Sequence, residues 1–250
     1  MRTVFPYQVE DRLKAEFFDT SDQGFFVEVG ANEPQRGSQS WQFEQAGWSG
    51  VLVEPQPDLA ESLRRTRRAH VVAAACSSPA NAGRSMTLHV LGPHSSLERE
   101  LVVTGVVAQT TIDVPVRTLD EILEEARAPS PIDFVSIDVE GHEVDVLCGF
   151  DLARWQPRLV LIEDHVTNLA THRALTRAGY RLIRRTGLNG WYVPQAQAPR
   201  IGLGWWQIAR KYYLALPIRK LRDQKRRLRD RLRQRLGARA VTPCQRGAKP

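Results

Sequence analysis

Apolar runs of five or six residues recur through the first 195 residues, separated by helically spaced segments or turns. "GFFVEVG" at 24–30, "GVLVEP" at 50–55, "HVVAAACS" at 70–77, "IDFVSIDVEG" at 132–141, "RLVLIED" at 158–164, "YRLIRRTG" at 180–187 and "GWYVP" at 190–194 read as seven strands. Strands that are apolar throughout are covered on both faces, and helical spacers allow parallel neighbours. The pattern predicts one α/β domain on a mostly parallel sheet. Helices are expected over 38–47 and 58–68, from Glu143, and over 169–178. A hydrophobic content of 42% in 250 residues is ample for the core this needs.

Two stretches fall outside the alternation. An insertion at about 79–117 interrupts it, with "SMTLHVLG" and "DVPVRTLD" as short flanking strands. Residues 196–204, with Pro199 and two glycines, read as a linker to a tail at 205–250, its end expected to be disordered. The net charge of +7 conceals a split. Residues 210–250 hold 15 Lys and Arg against Asp223 and Asp230, 15 − 2 = +13; the rest holds 20 against 26, or −6. An acidic body thus carries a basic tail. Cys76, Cys148 and Cys244 are scattered, with no CxxC pair, which speaks for a reducing compartment and against a disulfide framework or a thiolate zinc site. The start, "MRTVFPYQVEDRLKAEFF", is too charged for a signal peptide, and no apolar run approaches the ~20 residues of a membrane span. The expected location is cytoplasmic, with peripheral attachment at the inner membrane face open to it.

In an open parallel sheet, ligands bind beyond the carboxyl ends of the strands at the switch point of the strand order. Gly30 allows a tight turn there, and Glu54 ends the second strand, where an acid can accept both hydroxyls of a ribose. Glu28, inside the first strand, is out of place beside a pyrophosphate. It suits S-adenosylmethionine, which has an ammonium, a sulfonium and no phosphate. The plainer alternative makes Glu28 a strand residue at a solvated edge. Further on, Asp138, Glu140, His142, Glu143 and Asp145 crowd into eight residues after a strand, and Glu163, Asp164 and His165 end the next. Capping explains Glu143 and Asp145, but not Asp138 at the end of a buried strand. Neighbouring parallel strands stand ~4.8 Å apart, so Asp138 can face Glu163 or Asp164. Such oxygens suit removal of a hydroxyl proton, or Mg²⁺, Mn²⁺ or Fe²⁺ at Asp138, Glu163 and Asp164. The base is sought in Asp138 or His165; His142 is open between catalysis and a helix start. His70, His89, His94 and His172 read as structural.

The runs "FFVEVGANEP…S", "VLVEPQPDLAESL", "RTLDEIL", "IDFVSIDVEGHEVDVLCGF" and "LVLIEDH" resemble, in order and spacing, the FkbM-type methyltransferases over about residues 8–194. The resemblance implies a class I methyltransferase Rossmann-like fold with helices on both faces of a seven-stranded sheet. It also implies S-adenosylmethionine as donor and methyl transfer to a hydroxyl of a sugar, glycan or natural product. It matches Glu28, Gly30 and Asn32 to the first cofactor motif, Glu54 to the ribose acid, Asp138, Glu140 and Gly141 to the motif after the strand, and Glu163 with His165 to the next strand end. Ala31, Ser40 and Pro55 are read with the cofactor residues, and Asp138, Glu140, His142 and His165 with the chemistry. Glu28 stands where an aspartate is more usual, and "NEPQRGSQS" is longer than the common glycine-rich turn.

Two other classes stay open: an RNA methyltransferase gripping nucleic acid through the tail, and a non-catalytic module that keeps the fold. Against the first, "DVEG" stands where base-nitrogen methylation commonly uses an Asn-Pro-Pro-Tyr-like turn, and Cys148 sits too deep for cytosine C5 chemistry. Acceptor specificity is expected in the 79–117 insertion. The tail, with Trp205, Trp206, Tyr212 and Tyr213 before a stripe of Leu214, Ile218, Leu221, Leu228 and Leu232, reads as a basic amphipathic helix over 205–236. Its candidate partners are an anionic membrane surface and, less favoured, nucleic acid; a stripe packed on the body or in a coiled coil is the bland alternative.

Overall fold

The computed structural model describes residues 6–18, 23–90, 95, 97, 110–164 and 169–197, and in the tail 206, 207, 209, 210, 214, 217, 218, 221, 222, 224, 225 and 229. In chain order the body runs α1 (Pro6–Phe17), β1 (Phe25–Val29), α2 (Trp41–Gln45), β2 (Ser49–Val53), α3 (Pro57–Thr66), β3 (His70–Val72), β4 (Ala75–Cys76), β5 (Ser85–Val90) and β6 (Thr110–Arg117). It continues with α4 (Leu119–Glu125), β7 (Phe134–Ile137), α5 (Glu143–Cys148), α6 (Leu152–Trp155), β8 (Leu159–Glu163), α7 (Ala170–Arg177), β9 (Tyr180–Thr186) and β10 (Asn189–Pro194). Seven strands form one sheet in the order β3-β2-β1-β7-β8-β10-β9. β3, β2, β1, β7 and β8 are parallel, and β10 runs antiparallel to both β8 and β9.

The apolar runs explain why the sheet is buried on both sides. Alternate side chains point to opposite faces, so Phe26, Leu52, Phe134, Leu161 and Trp191 meet α1, α2 and α3 on one side. Val27, Val51, Val135, Val160 and Tyr192 meet α4, α5, α6 and α7 on the other. Each fully buried Val, Leu or Phe contributes roughly 1.5–3 kcal/mol, so a one-residue slip of any central strand would be heavily penalised.

Three expectations are corrected, and one helix is added. "HVVAAACS" is not one strand. Val72 accepts the last ladder bond from the Glu54 N–H at 3.0 Å, β2 has then ended, and Ala75–Cys76 turn away to pair with β6. "DVPVRTLD" is a strand only to Arg117. Thr118 caps α4: its hydroxyl accepts from the Glu121 N–H at 3.1 Å, while the Glu121 carboxylate accepts from the Thr118 N–H at 3.0 Å, a reciprocal capping box. The helix expected over 38–47 spans only Trp41–Gln45, because residues 38–40 form a turn held from β1. Finally, α1 is a helix the apolar pattern does not announce, since its inner face carries the buried charges Glu10 and Lys14. The insertion does supply strands, β5 and β6, in a second sheet of order β4-β6-β5. The linker opens with a 3-10 turn at Gln195–Gln197; 198–204 lie outside the described residues.

Candidate active site

The strand order reverses between β1 and β7, and the carboxyl ends of β1, β2 and β7 open there onto one crevice. Gly30 makes the turn at φ 81°, and a Cβ on it would lie 1.9 Å from the Asp138 carbonyl oxygen. No other residue fits. The Gly30 and Ala31 N–H groups both donate to Val53 O, at 2.9 and 3.1 Å, which ties the turn to β2. Asn32 follows at φ 52° and donates its backbone N–H to Glu54 Oε2 at 2.8 Å; Gln56 N–H donates to Glu54 Oε1 at 2.9 Å. Glu54 is buried, and desolvation raises its pKa, with the backbone donors pulling the other way. The Gln56 side chain bonds it as well; a carboxylate has about four lone-pair sites, so accepting capacity remains for a ligand.

Asp138 leaves β7 on the other side of the turn. It is open to solvent from the crevice mouth yet sunk deeply enough for protein atoms to crowd its carboxyl. Desolvation first, then the charge and hydrogen bond of Glu163, then the charges of Glu140 and Glu143, push its pKa well above the usual carboxylate range. One carboxylate oxygen from each of Asp138, Glu140 and Glu163 lies within 4.8 Å of the others. Among the described residues, this set, not Asp138, Glu163 and Asp164, is the one that could hold a divalent cation. Asp164 is turned to Arg185, whose guanidinium donates to Asp164 Oδ2 at 3.3 Å and to the Asp164 and Leu188 carbonyls at 2.7 and 2.6 Å.

Of the residues assigned to the cofactor, Gly30, Asn32, Glu54 and Pro55 line the crevice. Glu28, Ala31 and Ser40 do not. Glu28 lies on the Phe26 face of β1, buried under the 38–40 turn. Its carboxylate accepts from Ser38 Oγ at 2.9 Å, Gln39 N at 2.6 Å, Ser40 N at 3.2 Å and Ser40 Oγ at 2.5 Å. It is neither a crevice acid nor a residue at a solvated edge; it anchors the loop that follows Asn32. Ala31 is packed in the core on that same face. His142 is also absent from the crevice: it is buried at the start of α5, with Nε2 2.8 Å from Ser77 Oγ. His165 lies outside the described residues.

Other lining groups went unannounced. Gln56 follows Glu54, while Ala74, Ala75 and Cys76 form a small-residue wall where the chain passes from β3 to β4. Burial pushes the Cys76 thiol up to about 12, so it serves as an apolar wall group. Leu88, Ser95 and Leu97 bring the insertion to the crevice itself. Of these groups, those of the insertion carried a sequence expectation, that of acceptor specificity, whereas Gln56 and the Ala74–Cys76 wall carried no local signal. Among the described residues that line the crevice there are three acids, Glu54, Asp138 and Glu140, and no lysine, arginine or histidine.

Against known proteins, the family model of the methyltransferase FkbM domain matches residues 28–182 of the 250. Among solved structures, the methyltransferase FkbM from Methylobacillus flagellatus KT is similar at 17% identity and a TM-score of 0.43, over 68% of this chain and 43% of its own. Monomeric WbdD is similar at 15% identity and a TM-score of 0.39, over 74% of this chain and 40% of its own. Magnesium protoporphyrin IX methyltransferase from Synechocystis PCC 6803, solved with bound SAM, is similar at 12% identity and a TM-score of 0.38, over 74% and 77%. The chain thus spans less than half the length of the first two. No curated protein matches it. With the family model covering more than half of its length, the chain belongs to the FkbM methyltransferase family.

Proposed function

We propose that the protein is an S-adenosylmethionine-dependent O-methyltransferase acting on a hydroxyl of a sugar, glycan or natural-product acceptor. The observation that supports this is the sign of the crevice: three acids and no basic residue among its described lining. A phosphate-bearing dinucleotide would meet repulsion there, whereas a ligand with an ammonium and a sulfonium meets attraction. The donor, when bound, supplies a methyl group already activated on a sulfonium. Glu54 accepts the ribose hydroxyls on the lone pairs that Asn32 and Gln56 leave available. Ala74, Ala75 and Cys76 offer a flat apolar wall for a purine. Gly30 brings backbone close to the donor without a side chain in the way. Asp138, with Glu163 and Glu140 beside it, would take the proton of the acceptor hydroxyl. A base whose pKa is raised toward the working pH suits that transfer, and holding the oxygen in line accounts for much of the rest. A divalent cation at Asp138, Glu140 and Glu163 would be an addition to this scheme rather than a condition for it.

Glu54→Ala should weaken S-adenosylmethionine binding by about 1.5–3 kcal/mol, the loss of hydrogen bonds to a charged acceptor. Titration calorimetry checks this, with NAD as a non-binding control; unchanged affinity would remove Glu54 from the site. The acceptor class is tested by incubating the protein with methyl-labelled donor and fractionated cell extract. Label is expected in carbohydrate or lipid-linked carbohydrate as an alkali-stable ether. Label confined to RNA would overturn the acceptor reading, and no donor binding at all would leave only a module that retains the fold.

A further inference from the structure

The described residues of the tail are helical, and their large apolar side chains face outward. Leu214, Ile218 and Leu221 are 69%, 54% and 58% exposed, and Trp206 is 69% exposed. The spacing 214, 218, 221 places the three on one side of a helix, and the body does not cover them. Exposed Arg222 and Arg229 border that side. At about 100° per residue, the sequence sets both acids after residue 210, Asp223 and Asp230, near the opposite side. The same spacing sets Arg219, Lys220 and Arg227 on the acids' side, so basic groups recur around the helix while both acids fall away from the apolar stripe. Lys225 falls within the stripe, where its long stem can lie along an apolar layer with the ammonium at the surface.

The tail also begins at a defined place. The Arg185 backbone N–H donates to Gln207 Oε1 at 2.7 Å. Arg185 stands near the carboxyl end of β9, which is parallel to β8 because both run antiparallel to β10. The helix thus starts from the edge of the sheet at the end where the crevice opens.

We propose that this tail docks the protein on an anionic lipid surface. Leu214, Ile218, Leu221 and Trp206 would enter the headgroup layer while the bordering arginines and lysines engage lipid phosphates, holding the crevice end of the sheet toward the membrane. A nucleic acid would satisfy the basic groups but leave the leucine and isoleucine side chains in water. A seam between two copies would bring basic flanks against basic flanks, where such seams need opposite charges.

The test uses the full-length protein with sedimented vesicles of phosphatidylcholine, alone or mixed with phosphatidylglycerol. Partition to the mixed vesicles should be at least about tenfold stronger at low salt and largely lost at high salt. The triple substitution Leu214→Ser, Ile218→Ser, Leu221→Ser keeps every charge. It should lower partition at least about tenfold while the melting temperature of the body stays put, since all three side chains are exposed. Undiminished partition in that variant would overturn the docking role of the stripe. So would a lack of vesicle binding together with tight, serine-insensitive binding of an RNA oligomer, or with a dimer in sedimentation equilibrium that the serines dissociate.

Discussion

Arg67→Ala should destabilise the protein by about 3–5 kcal/mol, the range for breaking a buried ion pair from one side. The Arg67 side chain is fully buried at the end of α3 and spreads over three elements. Its Nε donates to Glu44 Oε2 at 2.8 Å, in α2. One terminal nitrogen donates to Pro34 O at 2.9 Å and Ser38 Oγ at 3.1 Å, and the other to Ser40 Oγ at 2.9 Å. The guanidinium also lies over the rings of Phe26 and Trp41, at 5.9 and 5.2 Å. Alanine would leave the buried Glu44 carboxylate without its charge partner, held by the Arg68 N–H at 2.7 Å, and release the 34–40 loop. That loop follows Asn32, so donor affinity should fall with stability. The double variant Arg67→Met with Glu44→Leu removes both charges and should recover much of the loss. Urea denaturation of the three variants checks this. A loss below about 1 kcal/mol for Arg67→Ala, the value of a surface pair, would show that the network carries no weight.

The parts of this molecule that were legible are those whose physics is local. Seven apolar runs mark the seven-stranded sheet because burial on both faces demands it, and Gly30, Glu54 and Asp138 stand at strand ends where the topology puts ligands. What was not legible depends on partners far along the chain. Glu28 looked like a crevice acid because it precedes Gly30, yet strand alternation gives it the face of Phe26. Only the fold brings Ser38, Gln39 and Ser40 over that face. Asp164 stood beside Glu163 in sequence, but the hairpin of β9 and β10 carries Arg185 back to claim it. His142 belonged to an acidic cluster until Ser77, 65 residues away, met its ring. α1 was hidden for a related reason. Lys14 is buried, with Nζ donating to the Gln39 carbonyl at 2.6 Å and its Oε1 at 3.0 Å; Glu10 is buried too and accepts from Gln39 Nε2 at 2.9 Å. A helix whose inner face is charged shows no apolar stripe.

Asp138→Asn should stop turnover and stabilise the fold together. As the base that receives the hydroxyl proton, Asp138 is worth roughly 10²–10⁴ in rate, whereas donor affinity rests on Glu54 and the Gly30 turn and should change little. The stability gain follows from the raised pKa of Asp138. A carboxyl raised by folding favours its protonated form. Its contribution is therefore fully present below the ordinary carboxylate value, about 4, and is lost as the pH rises through the higher folded value. Near neutral pH the wild-type protein bears the cost of ionising Asp138 beside Glu163 and Glu140. Because the side chain opens to solvent at the crevice mouth, screening reduces that cost to about 1 kcal/mol, or a melting temperature about 2–4 °C higher for the asparagine variant. Calorimetric scans from mild acid to neutral should show a decline in the wild type that the variant lacks. Adding a chelator separates the two charges that could offset the cluster: an unchanged rate leaves the proton alone in that role, and a collapsed rate brings in a cation at Asp138, Glu140 and Glu163. An Asp138→Asn variant that turns over at the wild-type rate would remove the base from this site, and one that melts lower at neutral pH would show that the carboxylates attract a bound partner rather than repel one another.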